Sequence, residues 1–154
     1  VIKKIKEHKR IFVYGTGRSG LMLKAFAMRL MQIGLSSYVV GETTTPSVQE
    51  GDLLIVASAS GETRSVCMTA ESAVKQGVDL IVISSAPESL GKIHAPDIEI
   101  EAATKFATSK VSVQPLGSLF EQMLLIVFDT IILEMSEEKE GSNEDMAKRH
   151  ASLE

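Results

Sequence analysis

The stretch FVYGTGRSG, residues 12–20, decides how the rest of the chain is read. Gly15, Gly17 and Gly20 spell G-x-G-x-x-G directly behind the apolar run IFVY at 11–14. That is the spacing of a strand, a tight turn and a helix start, the fingerprint of dinucleotide-binding domains. An acidic residue, Glu42, follows about 20 positions later, after the apolar run SYVV at 37–40. The free N–H groups of a helix start hold any phosphate, however, so what surrounds this loop must decide what it holds.

Outward from the loop, strands and helices alternate. Leu21, Met22, Ala25, Phe26, Leu30 and Ile33 recur at helical spacing between Arg18 and Ile33, and Gly34 stops the helix. SYVV is a second strand, GETTTPSVQEGD at 41–52 a turn-rich connection, and LLIVA at 53–57 a buried third strand. Val66, Cys67, Ala70, Ala73 and Val74 mark a helix over 62–76, closed by Gly77. A fourth strand at 80–84, a short helix within 87–95 and a fifth strand at 97–100 follow, then a loop to Pro115. Residues 116–135 are helical and apolar nearly all round, which predicts a buried helix. A charged linker at 136–141 leads to a last short helix in a tail at 142–154. This alternation predicts an α/β fold, a parallel sheet covered by helices on both faces. Ligands then bind beyond the carboxyl ends of the strands where strand order reverses, so the loops after the first and third strands matter most.

Composition narrows the function. At 154 residues, 44% hydrophobic and 23% charged, the chain suits one domain with a real core. The net charge of −4, with Lys and Arg spread along the chain, argues against a nucleic-acid partner. Cys67 is the one cysteine and reads as a small buried hydrophobe. His8, His94 and His150 have no metal-ligand spacing. The most apolar run, 123–133, is short of a membrane span and carries Asp129. With no visible leader, the chain reads as soluble and cytoplasmic with no membrane partner. It opens on Val1, so residues before it are expected to be missing.

The third strand runs into a second loop, SASGET, Ser58 to Thr63. Ser58, Ser60 and Thr63 bring three hydroxyls to the start of a helix, and Gly61 permits a tight backbone approach. Ser60 by itself could be a helix cap, but a cap needs one hydroxyl, and three in six residues favour a phosphate monoester. The first loop then reads differently. It carries Arg18 and Ser19 besides its glycines, it faces a second phosphate-type loop, and Glu42 is followed by TTTP. A nucleotide-dependent oxidoreductase would also need a substrate domain for which 154 residues leave little room.

The pair of loops resembles the sugar isomerase (SIS) domain. YGTGRSG, FAMRLMQIG, YVVGETTTP, GDLLIVASASGET, VQPLGSLFEQ and RHASLE together resemble the 6-phospho-3-hexuloisomerase family over nearly the whole chain. GETTTP and QPLGSLFEQ are more specific than the glycine loop; Ala59 departs from the glycine common in the family. A further N-terminal helix usual in the family is expected to be absent. The resemblance implies a single three-layer SIS domain over 1–154 with five parallel strands in flavodoxin-like order. It implies a homotetramer that needs neither cofactor nor metal. It also implies the conversion of D-arabino-3-hexulose 6-phosphate to fructose 6-phosphate. A phosphosugar-binding module without catalysis is the alternative.

Moving a carbonyl from C3 to C2 requires proton removal beside a carbonyl, an enediol(ate), and proton return to the neighbouring carbon. One carboxylate between the two carbons can do both transfers, with nearby donors stabilising the oxyanion. Glu121 is the first candidate, in the first turn of an otherwise apolar helix whose burial would strengthen it as a base. Glu42, near the ligand edge of the sheet, is the second. His150, in RHASLE, is the third, able to reach a neighbour's site and move hydroxyl protons. Gly17, Arg18, Ser19, Ser58, Ser60, Gly61 and Thr63 are the expected phosphate and substrate ligands.

Overall fold

The computed structural model describes residues 1–86, 88–102, 112–137 and 142–153. Among these, five strands form one parallel sheet: β1 (Arg10–Tyr14), β2 (Ser36–Val39), β3 (Leu53–Ser58), β4 (Asp79–Ser84) and β5 (Ile98–Glu99). Their order is β2-β1-β3-β4-β5, as expected. The order reverses between β1 and β3, so the loops leaving these two strands diverge and open a crevice at their carboxyl ends. The helices are α1 (Ile2–Glu7), α2 (Gly17–Gln32), α3 (Arg64–Lys75), α4 (Ser89–Ile93), α5 (Ser118–Glu137) and α6 (Ser142–Arg149).

Alternation along each strand builds two cores. Ile11, Val13, Leu53, Ile55, Ala57, Ile81 and Ile83 face α2 and α5, where Leu23, Phe26, Leu30, Phe120, Leu124 and Phe128 meet them. Phe26 and Phe128 stack with ring centroids 4.3 Å apart. On the other face Phe12, Leu54, Val56, Leu80 and Val82 pack on Val66, Cys67 and Ala70 of α3 and Leu90 of α4. With β3 buried along its whole length, its continuous apolar run is what a strand covered on both faces requires. Burial pushes the Cys67 thiol up, and its S–H donates to the Gly61 carbonyl at 3.5 Å.

Four details differ from expectation. Helix α3 starts at Arg64, not residue 62, because Gly61 N–H turns back onto the Ser58 carbonyl and the first helical bond is Cys67 N–H to Thr63. Helix α5 is not buried all round: Phe120, Leu124 and Phe128 are buried, but Leu125, Ile126 and Leu133 are exposed on the single chain. One apolar side covers the sheet and the other faces outward. Helix α5 also runs to Glu137, taking the first two residues of the expected linker; residues 138–141 lie outside the described residues, as do Pro87 and residues 103–111 of the expected helix and loop. Finally, α1 has only six residues, too few for local periodicity to announce. Tertiary contacts hold it: Ile5 is fully buried, Lys4 Nζ donates to the Leu80 carbonyl at 2.5 Å, and His8 Nε2 lies 2.9 Å from Asp79.

No helix among the described residues is long and apolar enough to cross a membrane.

Candidate active site

The crevice at the reversal point holds a cavity of about 280 Å³. Its walls are Thr16, Arg18 and Ser19 from the first loop and the start of α2; Ala57, Ser58, Ala59, Ser60, Glu62 and Thr63 from β3 and the second loop; and Gly117, Phe120 and Glu121 from the start of α5. Three separate segments of the chain therefore converge on one space.

The glycine loop is built for contact. A Cβ on Gly20 would lie 2.5 Å from the Gly15 carbonyl oxygen, so β1 and α2 approach backbone to backbone here. Gly17 begins α2 with φ of +56°, and nothing lies within 4 Å of where its Cβ would be. Of the expected ligands, Arg18, Ser19, Ser58, Ser60 and Thr63 line the cavity, whereas Gly17 and Gly61 are not among its lining residues.

In the second loop Ser58 Oγ and Thr63 Oγ1 share a hydrogen bond of 2.9 Å, and Ser60 Oγ accepts from Glu62 N–H at 3.2 Å. Thr63 occupies the N-cap position of α3 and makes no side-chain cap bond. The simple capping role for Ser60 is thus absent: the capping position is three residues further on. Gly61 has φ of +66°, and its Cβ would meet the Ala86 carbonyl oxygen at 2.5 Å.

Glu121 is buried, with 10% of its side chain exposed, and Arg18 Nε donates to its Oε2 at 2.5 Å. The expected buried carboxylate also has a charged partner, since Arg18 reaches across from α2 to pair with it. Arg18 itself is 64% exposed, so this guanidinium spans buried carboxylate and open cavity. Leu116, just ahead of α5, has φ of +56°. That conformation is uncommon for a side chain of this size, and Gly117 and Glu121, which follow it, line the crevice.

The other two candidates lie elsewhere. Glu42 is half exposed, paired with Lys24 at 2.6 Å, and is not part of the cavity wall. His150 follows α6, whose Arg149 donates to the Gln32 carbonyl at the far end of α2. The sixteen residues of α2 put about 24 Å between that end and the glycine loop, so His150 cannot reach its own chain's cavity. The sequence reading did not single out Thr16, Gly117, Phe120 or Glu62. Glu62 was legible as a polar residue inside SASGET. Two hydrogen bonds from Ser89, first its N–H and then its hydroxyl, hold the Glu62 carboxyl below the usual carboxylate range.

The chain is similar to known proteins. A family model, the SIS domain, matches residues 4–127. A 3-hexulose-6-phosphate isomerase of Bacillus subtilis is 44% identical over 148 residues, 94% of this chain and 80% of the relative. One of Mycobacterium gastri is 42% identical over 154 residues, 99% of this chain and 77% of the relative. A crystal structure of a Methanococcus jannaschii protein, for which the same isomerase function was inferred, superposes with a TM-score of 0.87 at 38% identity, covering 99% of this chain and 83% of that one. The chain belongs to the SIS domain family, in which the 3-hexulose-6-phosphate isomerases are its relatives.

Proposed function

We propose that the protein interconverts D-arabino-3-hexulose 6-phosphate and fructose 6-phosphate. The observation that carries this reading is the cavity itself: a buried carboxylate, Glu121, stands opposite two loops rich in hydroxyls and free N–H groups. Two relatives that span nearly all of this chain are named for the same activity.

In this reading the phosphate sits between the loops, on Ser19, Ser58, Ser60 and Thr63, with Gly17 and Gly61 giving backbone access and Arg18 supplying charge. Glu121 takes the proton from C2, the electron pair forms the C2–C3 enediolate as the C3 carbonyl becomes an oxyanion, and Glu121 returns the proton to C3. The O2 hydroxyl loses its proton as O3 gains one, and the carbonyl ends at C2. Donors lining the cavity stabilise the oxyanion. The direct test is incubation with hexulose 6-phosphate in deuterated water, with fructose 6-phosphate detected by a coupled assay. The expected outcome is fructose 6-phosphate, with deuterium at C3 to the extent that the proton on Glu121 exchanges with solvent before its return; no product at any enzyme concentration refutes the activity. Ser60→Ala should raise KM roughly 10-fold, since one hydrogen bond to a charged group is lost, with the melting temperature unchanged.

The same reading makes the protein a homotetramer. Leu21 and Met28 on α2 and Leu125, Ile126 and Leu133 on α5 are exposed large apolar residues, more than a solvated helix pair ordinarily shows. His150 then serves a neighbour's cavity, moving protons between O2 and O3. Sedimentation should show no monomer at micromolar concentration. Mixing Glu121→Gln with His150→Ala after dissociation should restore part of the activity that each lacks, because some sites then receive both native residues. A monomer, or no recovery on mixing, would count against the shared site.

A further inference from the structure

The second loop is fastened along its length to the segment behind it. Ser84 Oγ donates to the Ser58 carbonyl at 2.8 Å, Ser85 N–H to the Ala59 carbonyl at 3.1 Å and Leu90 N–H to the Gly61 carbonyl at 2.9 Å. These bonds leave the backbone at Glu62 as the point where the loop turns into α3. There the side chain supplies the tie: Glu62 Oε1 accepts from Ser89 N–H and from Ser89 Oγ, each at 2.9 Å. Glu62 N–H meanwhile donates to Ser60 Oγ, so the residue that grips Ser89 also sets the hydroxyl of Ser60.

A carboxylate on this wall is otherwise unfavourable. Like charges at cavity distances repel, and Glu62 lines the space that the phosphate is to enter. A neutral residue there would bind an anion better unless the charge does something else. Engagement by Ser89, with Lys92 contributing attraction, gives the charge a partner on the side of α4. We propose that Glu62 is a positioning residue of the phosphate loop: by holding Ser89 it fixes Ser60, Gly61 and Thr63 in the shape that receives the phosphate, and it takes no part in proton transfer. This rests on the reading of the cavity as a phosphosugar site.

The test uses the full chain with Glu62→Ala, Glu62→Gln and Ser89→Ala. It measures kcat and KM with hexulose 6-phosphate and, separately, the affinity for inorganic phosphate by calorimetry without turnover. Glu62→Ala should weaken phosphate and raise KM together, by roughly 10-fold, with kcat within about 3-fold. Glu62→Gln should recover most of the affinity, since an amide oxygen still accepts from both Ser89 groups. Ser89→Ala, which removes one of the two bonds, should fall between, and adding it to Glu62→Ala should cost little more. If Glu62→Ala does not fold, Ser89→Ala carries the comparison, read against Glu62→Gln as the near-native control. Unchanged phosphate affinity in all three variants overturns the proposal, as does a large fall in kcat with phosphate affinity intact. Wild-type protein that binds phosphate but never isomerises the sugar would sink the isomerase reading alone, and the phosphate affinities would still judge Glu62.

Discussion

Glu121→Gln is expected to lower kcat by roughly 100-fold or more while KM changes little. The amide keeps the size of the side chain and can still accept the Arg18 N–H, so the cavity wall and the start of α5 should stay as they are. What it cannot do is take and return the C2 proton. The pattern to be read is a kcat effect with inorganic phosphate affinity retained. Glu42→Gln is the matched control. Glu42 is exposed, paired with Lys24 and outside the cavity wall, so its loss should alter kcat by less than about 3-fold. If Glu42→Gln is the crippled variant and Glu121→Gln the mild one, the assignment is reversed; if both stay active, neither of these two carboxylates is the base and His150 is next to be tested.

Gly61→Ala should damage both folding and phosphate binding. A side chain at φ of +66° costs about 1–2 kcal/mol by itself. The added methyl would also meet the Ala86 carbonyl at 2.5 Å, a backbone atom that cannot rotate away, so the loop must part from the segment before α4. Phosphate affinity should fall by 10-fold or more and the melting temperature by several degrees, on the order of 4 °C or more. Gly51→Ala separates the two causes. Gly51 has φ of +81° but open space around it, so that variant should lose stability without losing phosphate affinity. Equal phosphate affinities in the two variants would show that the fit of the second loop against Ala86 is unimportant.

Local physics made much of this legible. The strands alternate between two cores or run apolar throughout, and the glycine and hydroxyl loops sit at the ends of β1 and β3, so strand order and crevice follow from chain order and the handedness of parallel crossovers. Arg18, Ser19, Ser58, Ser60 and Thr63 could be grouped before any coordinates because each lies within a few residues of one of those strand ends. Glu121 could be singled out as the charge in an apolar helix. The sequence could put it ahead of Glu42 but not exclude Glu42, because both follow turns and both are single acidic residues near an expected ligand edge.

Tertiary structure decided what depends on distance between remote segments. Arg18 and Glu121 are 103 positions apart, and only the packing of α5 against α2 makes them a pair. Glu62 and Ser89 belong to different crossovers, 27 positions apart, and nothing in SASGET announces that its glutamate faces a serine beyond β4. Helix α1 exists because β4 offers it the Leu80 carbonyl and Asp79. His150 stands beside QPLGSLFEQ in any list of polar candidates, yet the lengths of α2 and α5 carry it to the opposite end of its own molecule. Periodicity and turn chemistry are local, so the sequence by itself determined the elements other than α1, their order and the two phosphate-type loops. Ion pairs and the reach of side chains are set by the three-dimensional path, so only the fold decided which carboxylates line the cavity.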